Sequence, residues 1–80
     1  MQRDEIYSAL TTIFRDVFDD DSITPHDSMT AADVEDWDSL SHIRLVVAVE
    51  EKFGLRFTTV EISDLKNVGD FVDLIMRKQA

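Results

Sequence analysis

The chain has no cysteine, a single proline and only two glycines among its 80 residues. Without a thiol, disulfides and thiolate metal sites are excluded, and so is thiol chemistry by any side chain. So few glycines and prolines leave little room for hairpin turns. Cations are scarce as well: 8 Lys and Arg stand against 17 Asp and Glu, a net charge of −9. Nucleic-acid phosphates and anionic membrane surfaces both need cations, so neither is an expected partner. Basic patches on other proteins are the natural complement. Long apolar runs are missing too. The longest, Leu45-Val46-Val47-Ala48-Val49, falls far short of the ~20 residues a membrane span needs. The N-terminal "MQRDEIYSAL" lacks the apolar stretch of a signal peptide. A soluble cytoplasmic protein, monomeric and without a membrane span, is expected. Residues 1–80 read as one domain, and a chain of this size buries only about 60% of its unfolded surface. A deep, enclosed active site is therefore not expected.

What is present is helical spacing. Ile6, Leu10, Ile13, Phe14 and Val17 form one apolar stripe and predict a helix over about residues 3–18. Asp19-Asp20-Asp21-Ser22 ends it, and Pro25 opposes continuation. Residues 19–37 read as a long polar connection pinned by Ile23, Met29, Val34 and Trp37, with a single turn expected at 33–36. A second helix is predicted from Ser39 to Phe53, closed by Gly54. It carries two stripes: Leu45, Val46, Val49 and Phe53 on one side, and Leu40, Ile43 and Val47 on another. One stripe is enough to join a core, so the second either deepens burial or meets something outside the domain. Thr58 with Glu61 three residues on is a capping box, opening a short helix through about Leu65. Asn67 then caps a last helix with Val68, Phe71, Val72, Ile75 and Met76 on one side. The expected fold class is all-α: a small four-helix bundle of three longer helices and one short, with a long loop between the first two.

Few residues offer chemistry. A calcium loop starting at Asp19 would want glycine and glutamate where Thr24 and Thr30 stand, so the acidic run reads as a solvated helix end. His26 is a lone loop histidine. Ser39, His42 and Asp36 or Asp38 sketch a hydrolytic triad, but the Gly-x-Ser-x-Gly elbow is absent and the chain is too small for an oxyanion hole with a substrate pocket. His42 reads instead as an exposed helix histidine. Glu50 and Glu51, being adjacent on a helix, do not face each other as an acid–base pair and read as a charged edge. Ser39 competes with Asp38 as a helix cap. A serine at a helix N-terminus also stands where backbone N–H groups and the dipole favour a phosphate ester. The local chemistry leaves both roles open.

Asp38-Ser39-Leu40, at the head of an amphipathic helix in an acidic chain of this length, resembles the attachment motif of the acyl carrier proteins. "WDSLSHIRLVVAVEEKFGLRF" is similar to that family's second helix and its exit, and "NVGDFVDLI" to the start of its last helix. The resemblance implies that Ser39 carries 4′-phosphopantetheine, transferred from coenzyme A by a magnesium-dependent phosphopantetheinyl transferase, with Asp38 flanking it. It also implies that Leu40, Ile43 and Val47 present apolar contacts to partner enzymes, and that Glu50 and Glu51 meet basic patches on acyl-transferring, ligase or synthase enzymes. The protein would then carry acyl thioesters and catalyse nothing itself. Family members of fatty acid synthesis usually carry acids two and five residues after the serine, whereas this chain has Ser41 and Arg44. Trp37 stands where those members more often have a small residue. These departures point to a specialised polyketide, lipid or other dedicated pathway, with Arg44 as a selectivity element at the docking face. Two alternatives stand beside this reading. One is a peptidyl or aminoacyl carrier, although the Gly-Gly-His-Ser signature is missing. The other is a small helical interaction domain in which Ser39 is a plain cap. Val46, Val49, Leu74 and Ile75 are the expected aliphatic lining if the helices part around an acyl chain.

Overall fold

The computed structural model describes residues 2–79. Four helices follow in order: α1 (Arg3–Val17), α2 (Ser39–Phe53), α3 (Thr59–Ser63) and α4 (Val68–Gln79), with a 3-10 turn at Ala31–Asp33. The all-α bundle with three long helices, one short helix and a long first connection is as the sequence implies. The core is built where the stripes predict. Ile6, Leu10 and Phe14 of α1 meet Leu45 and Val49 of α2 and Val68, Val72 and Ile75 of α4, all essentially without solvent contact. Truncating Phe14 to alanine at such a site costs about 3–5 kcal/mol, the transfer term plus the cavity left behind. Among the described residues, no helix is long and apolar enough to cross a membrane.

The ends of the elements show why they stop. Gly54 adopts φ 66°, ψ 38° and donates its N–H to the Glu50 carbonyl, the left-handed exit expected of a glycine there. Thr58 accepts the Glu61 N–H at 3.1 Å while Glu61 accepts the Thr58 N–H at 2.8 Å, closing the capping box. Asn67 Oδ1 accepts the Asp70 N–H at 2.8 Å. At the end of α1, Asp19 takes φ 51°, and Asp20 Oδ1 accepts the Ser22 N–H at 2.9 Å, a local turn that competes with further helix.

Two boundaries differ from expectation. A 3-10 turn forms at Ala31–Asp33, ahead of the turn expected at 33–36, because Asp33 Oδ2 reaches back to the Thr30 N–H at 3.0 Å and fixes its start; the expected stretch turns as well, the Trp37 N–H meeting the Val34 carbonyl at 3.1 Å. The short helix ends at Ser63 rather than near Leu65, since Asp64 closes it with its N–H on the Val60 carbonyl at 3.1 Å.

The long connection is held at several points. Met29 and Val34 are buried, and Ile23 and Trp37 pack against the core from partly buried positions. Arg15 Nε donates to the Ile23 carbonyl at 3.0 Å. The carbonyls of Asp27 and Met29 accept the Gly69 and Val68 N–H groups at 3.0 and 2.8 Å, so the loop satisfies the otherwise unpaired first turn of α4. Arg3 spans Asp27 at 2.8 Å and Asp73 at 2.7 Å, and the Tyr7 hydroxyl also donates to Asp27. A loop this long stays ordered because both helices it crosses supply its backbone and carboxylate partners.

Candidate functional site

The start of α2 separates capping from chemistry. Asp38 is the N-cap: its backbone is extended, its Oδ1 accepts the Ser41 N–H at 2.8 Å, and its carbonyl accepts the His42 N–H at 2.9 Å. The bond from the Ser41 backbone N–H, followed by the Ser41 side chain, holds the Asp38 carboxyl below the usual carboxylate range. Ser39 is the first helical residue and is exposed. Among the described residues, its hydroxyl makes no hydrogen bond, because Asp38 has taken the capping role.

An open groove of about 480 Å³ adjoins Ser39, walled by Ala31, Trp37, Asp38, His42 and Ile43. Trp37 is wedged behind it. Its ring meets Phe14 edge-on at 5.5 Å and Phe18 at 5.8 Å, and its Nε1–H donates to His42 Nδ1 at 3.2 Å. His42 is therefore half-buried and hydrogen-bonded, not the exposed histidine expected. Accepting at Nδ1 leaves the ring proton on Nε2. Among the described residues, no hydrogen bond joins His42 to Ser39 or to a carboxylate, so the triad sketch has no geometry behind it.

Along α2, Leu40, Ile43 and Val47 are 58%, 59% and 45% exposed, while Leu45, Val46 and Val49 are buried. The two stripes thus divide cleanly between solvent and core, and the outer one is a row of large apolar side chains left open. Arg44 lies within that outer row, four residues from Leu40 and three from Val47, and it forms no ion pair among the described residues. Glu51 is exposed. Glu50 is half-buried, and its Oε2 accepts the Phe57 N–H at 2.9 Å, tying the end of α2 to the approach to α3. Of the two acids read as one charged edge, Glu50 thus has a second task inside the fold. The expected aliphatic lining is closed: Val46, Val49, Leu74 and Ile75 are all buried.

Sequence reasoning placed Ser39, Asp38 and the outer stripe but missed the Trp37–His42 pair and the bond from Glu50. The five-residue spacing of Trp37 and His42 across a helix start was the available signal for the first. Nothing local announces the second, because it depends on the path the chain takes after Gly54.

The residues present fit a phosphodiester-linked group. A free, exposed hydroxyl stands at the positive end of a 15-residue helix, beside a groove with room for an arm. Residues 8–75 match the family described as "Phosphopantetheine attachment site". The acyl carrier protein of Acidothermus cellulolyticus is 42% identical over 77 residues, spanning 94% of this chain and 89% of that protein. The acyl carrier protein of Micrococcus luteus is 36% identical over 80 residues, spanning 98% and 96%. Among solved structures, the solution NMR structure of a holo acyl carrier protein from Geobacter metallireducens matches with a TM-score of 0.86 at 48% identity, covering 91% of this chain and 84% of that one. By sequence and by fold alike, this chain belongs to the acyl carrier proteins, a family of carriers rather than enzymes whose members bear a covalently attached phosphopantetheine.

Proposed function

We propose that Ser39 is the attachment residue and that the chain carries acyl intermediates for a specialised pathway such as polyketide or dedicated lipid synthesis. One observation supports the assignment above the rest. The Ser39 hydroxyl is exposed and uncommitted, since the neighbouring Asp38 caps the helix in its place. In the transfer, Ser39 Oγ attacks the pantetheine-bearing phosphorus of coenzyme A. An O–P bond forms, the bond to the nucleotide phosphate breaks, and adenosine 3′,5′-bisphosphate leaves while the hydroxyl proton passes to a base of the transferase. The arm supplies the thiol that a chain without cysteine lacks, so cargo is held as a thioester. The protein's own contribution is to hold the attachment helix rigid and to keep the cargo at high local concentration near each enzyme it meets.

The docking face in this reading is Leu40, Ile43, Arg44 and Val47, with Glu51, and with Glu50 at its inner edge. Its partners are the phosphopantetheinyl transferase and then acyl-transferring, ligase or synthase enzymes with apolar docking pockets and basic rims. The same reading makes residues 1–80 one carrier domain, supported by a core that runs from Ile6 to Ile75. It makes the protein a monomer, its outer stripe reserved for enzymes, and places it in the cytoplasm with its coenzyme A donor.

The test is direct. The protein is incubated with coenzyme A, magnesium and a broad-specificity phosphopantetheinyl transferase, and its intact mass is measured. A gain of one phosphopantetheine, abolished by Ser39→Ala, is the expected result. A folded protein that gains nothing from several transferases, or a Ser39→Ala variant that is still modified, would overturn the assignment.

A further inference from the structure

The outer face of α2 carries an alternation of charge that its own helix does not use. Arg44 has Leu40, Ser41, Val47 and Ala48 at the three- and four-residue spacings where an acid would pair with it. Glu51 has Val47, Ala48, Gly54 and Leu55 at those spacings. Among the described residues neither forms an ion pair, and nor does the exposed Arg56 just beyond the helix. The order along the face, Asp38, Arg44, Glu51, Arg56, has a centre. The midpoint of Arg44 and Glu51 falls between Val47 and Ala48, and that of Asp38 and Arg56 falls on Val47. The shape repeats the pattern. Leu40 stands out at one end, 58% exposed, and at the other an open groove of about 480 Å³ is walled by Val47, Glu51, Leu55 and Arg56. The midpoint of Leu40 and Leu55 again falls between Val47 and Ala48.

A face whose opposite charges lie symmetrically about one point is its own complement under a twofold axis through that point. We propose that this face docks on the same face of a second copy of the chain, α2 antiparallel to α2, with the axis at Val47 and Ala48. Arg44 then meets Glu51 of the second copy, and Glu51 meets Arg44 of the second copy. Leu40 enters the groove beside Leu55 of the second copy, and Asp38 comes to the Arg56 that walls it. Val47 and Ala48 are small enough at the centre for the helices to reach the spacing of about 8–10 Å at which helices pack. One helix face and one groove per copy bury less than the roughly 1,200 Å² of a stable complex, so the pair is weak, with a Kd on the order of 0.1–1 mM. At micromolar concentration the chain is the monomer of the proposed function. Where the carrier is concentrated, a second copy and an enzyme compete for one face, and copies without an enzyme cover each other's apolar row.

Sedimentation equilibrium and ¹⁵N relaxation from about 0.05 to about 2 mM protein measure the pairing. In about 0.15 M salt the repulsion between two chains of net charge −9 is screened beyond about 8 Å. Tumbling should slow as concentration rises, with line broadening centred on Leu40, Arg44, Val47 and Glu51. A chain that tumbles as a monomer at the highest concentration overturns the proposal and leaves the face to enzymes alone. Arg44→Glu sets acid against acid twice across the axis, and Glu51→Arg sets cation against cation. Each variant alone should pair roughly tenfold more weakly than the wild type. Mixed together, the two variants restore both opposite-charge contacts, so the mixed pair should recover to within a few-fold of the wild type. A mixture that pairs no more tightly than its parts refutes the proposal. The measurement does not involve Ser39, so its failure leaves the attachment assignment intact.

Discussion

Gly69→Ala sets two effects of opposite sign against each other. Gly69 is the second residue of α4, and alanine there gains about 0.4–1 kcal/mol by restricting the unfolded chain. The cost comes from space. A Cβ at Gly69 would stand 3.0 Å from the Asp27 carbonyl oxygen, 3.2 Å from Asn67 Oδ1 and 3.2 Å from Asp27 Cβ. None of these atoms is the loose end of a flexible side chain. The Asp27 carbonyl accepts the Gly69 N–H at 3.0 Å, and Asn67 Oδ1 caps Asp70 at 2.8 Å, so either can retreat only by stretching its own bond. Overpacking of this kind costs about 1–3 kcal/mol, and a weakened hydrogen bond adds up to about 1 kcal/mol. The net is a loss of about 1–2 kcal/mol. For a domain of this size that lowers Tm by roughly 5–15 °C. Circular dichroism melts of the two proteins measure it, and amide exchange at Val68 and Gly69 should quicken first. An unchanged or raised Tm would show that the loop yields without cost and that the tie between the long connection and α4 is not tight.

Four further outcomes follow from other contacts of the chain. Burial, and then the hydrogen bond to Asp27, push the Tyr7 hydroxyl up to about 12, so its stabilising contribution is whole below pH 10 and is lost as pH rises from 10 to 12; the stability difference between wild type and Tyr7→Phe should shrink across that interval in urea titrations. The Tyr7 hydroxyl, and then Arg3, hold Asp27 below the usual carboxylate range, so its contribution is whole above about pH 4 and fades as pH falls below it, a limb that Asp27→Asn should flatten. Glu50→Ala leaves the half-buried Phe57 N–H unpaired and should cost about 1–3 kcal/mol, whereas Glu51→Ala should leave the melt unchanged and alter only enzyme kinetics. Arg44→Glu should raise kcat/KM several-fold with a fatty-acid-synthesis enzyme whose docking patch is basic, and the gain should fade with added salt; unchanged kinetics would show the position to be neutral.

The parts of the fold legible in the sequence are those fixed by neighbours in the chain. α2 could be bounded because Asp38 and Gly54 act within one turn of its ends, and α3 because Thr58 and Glu61 bond each other. The 3-10 turn at Ala31–Asp33 was legible in principle, since Thr30 and Asp33 stand at capping-box spacing. The contacts that escaped notice join distant positions. Arg3 meets Asp73 across 70 residues, and Glu50 meets Phe57 only because Gly54 reverses the chain between them. His42 was misread although it stands three, four and seven residues before Leu45, Val46 and Val49, on the inner face of α2, where Trp37, fixed by Phe14 and Phe18, meets it. At the candidate site Ser39 and the outer stripe were legible because both are local features of one helix. The groove beside Ser39 was not, because its walls come from several elements.

The charge of the whole chain gives a misleading picture of the face proposed for docking. Most of the 17 carboxylates lie away from the outer stripe of α2, and several serve the fold: Asp27 and Asp73 hold Arg3, Glu61 holds Lys78 at 3.0 Å, and Glu50 holds the Phe57 N–H. What remains along the stripe is Asp38 at the head, Arg44 in the middle and Glu51 at the end, with Arg56 beside the groove that Val47 and Glu51 share. With Glu50 at the inner edge, three anions stand against two cations, so this face attracts a basic partner less than a net charge of −9 implies. The long-range field still speeds encounters with basic proteins in general. Selection among them falls to the near contacts, where a desolvated Arg44 facing another cation is penalised and one facing a carboxylate or a carbonyl is not. In the proposed reading, the acidity brings enzymes near and Arg44 selects among them.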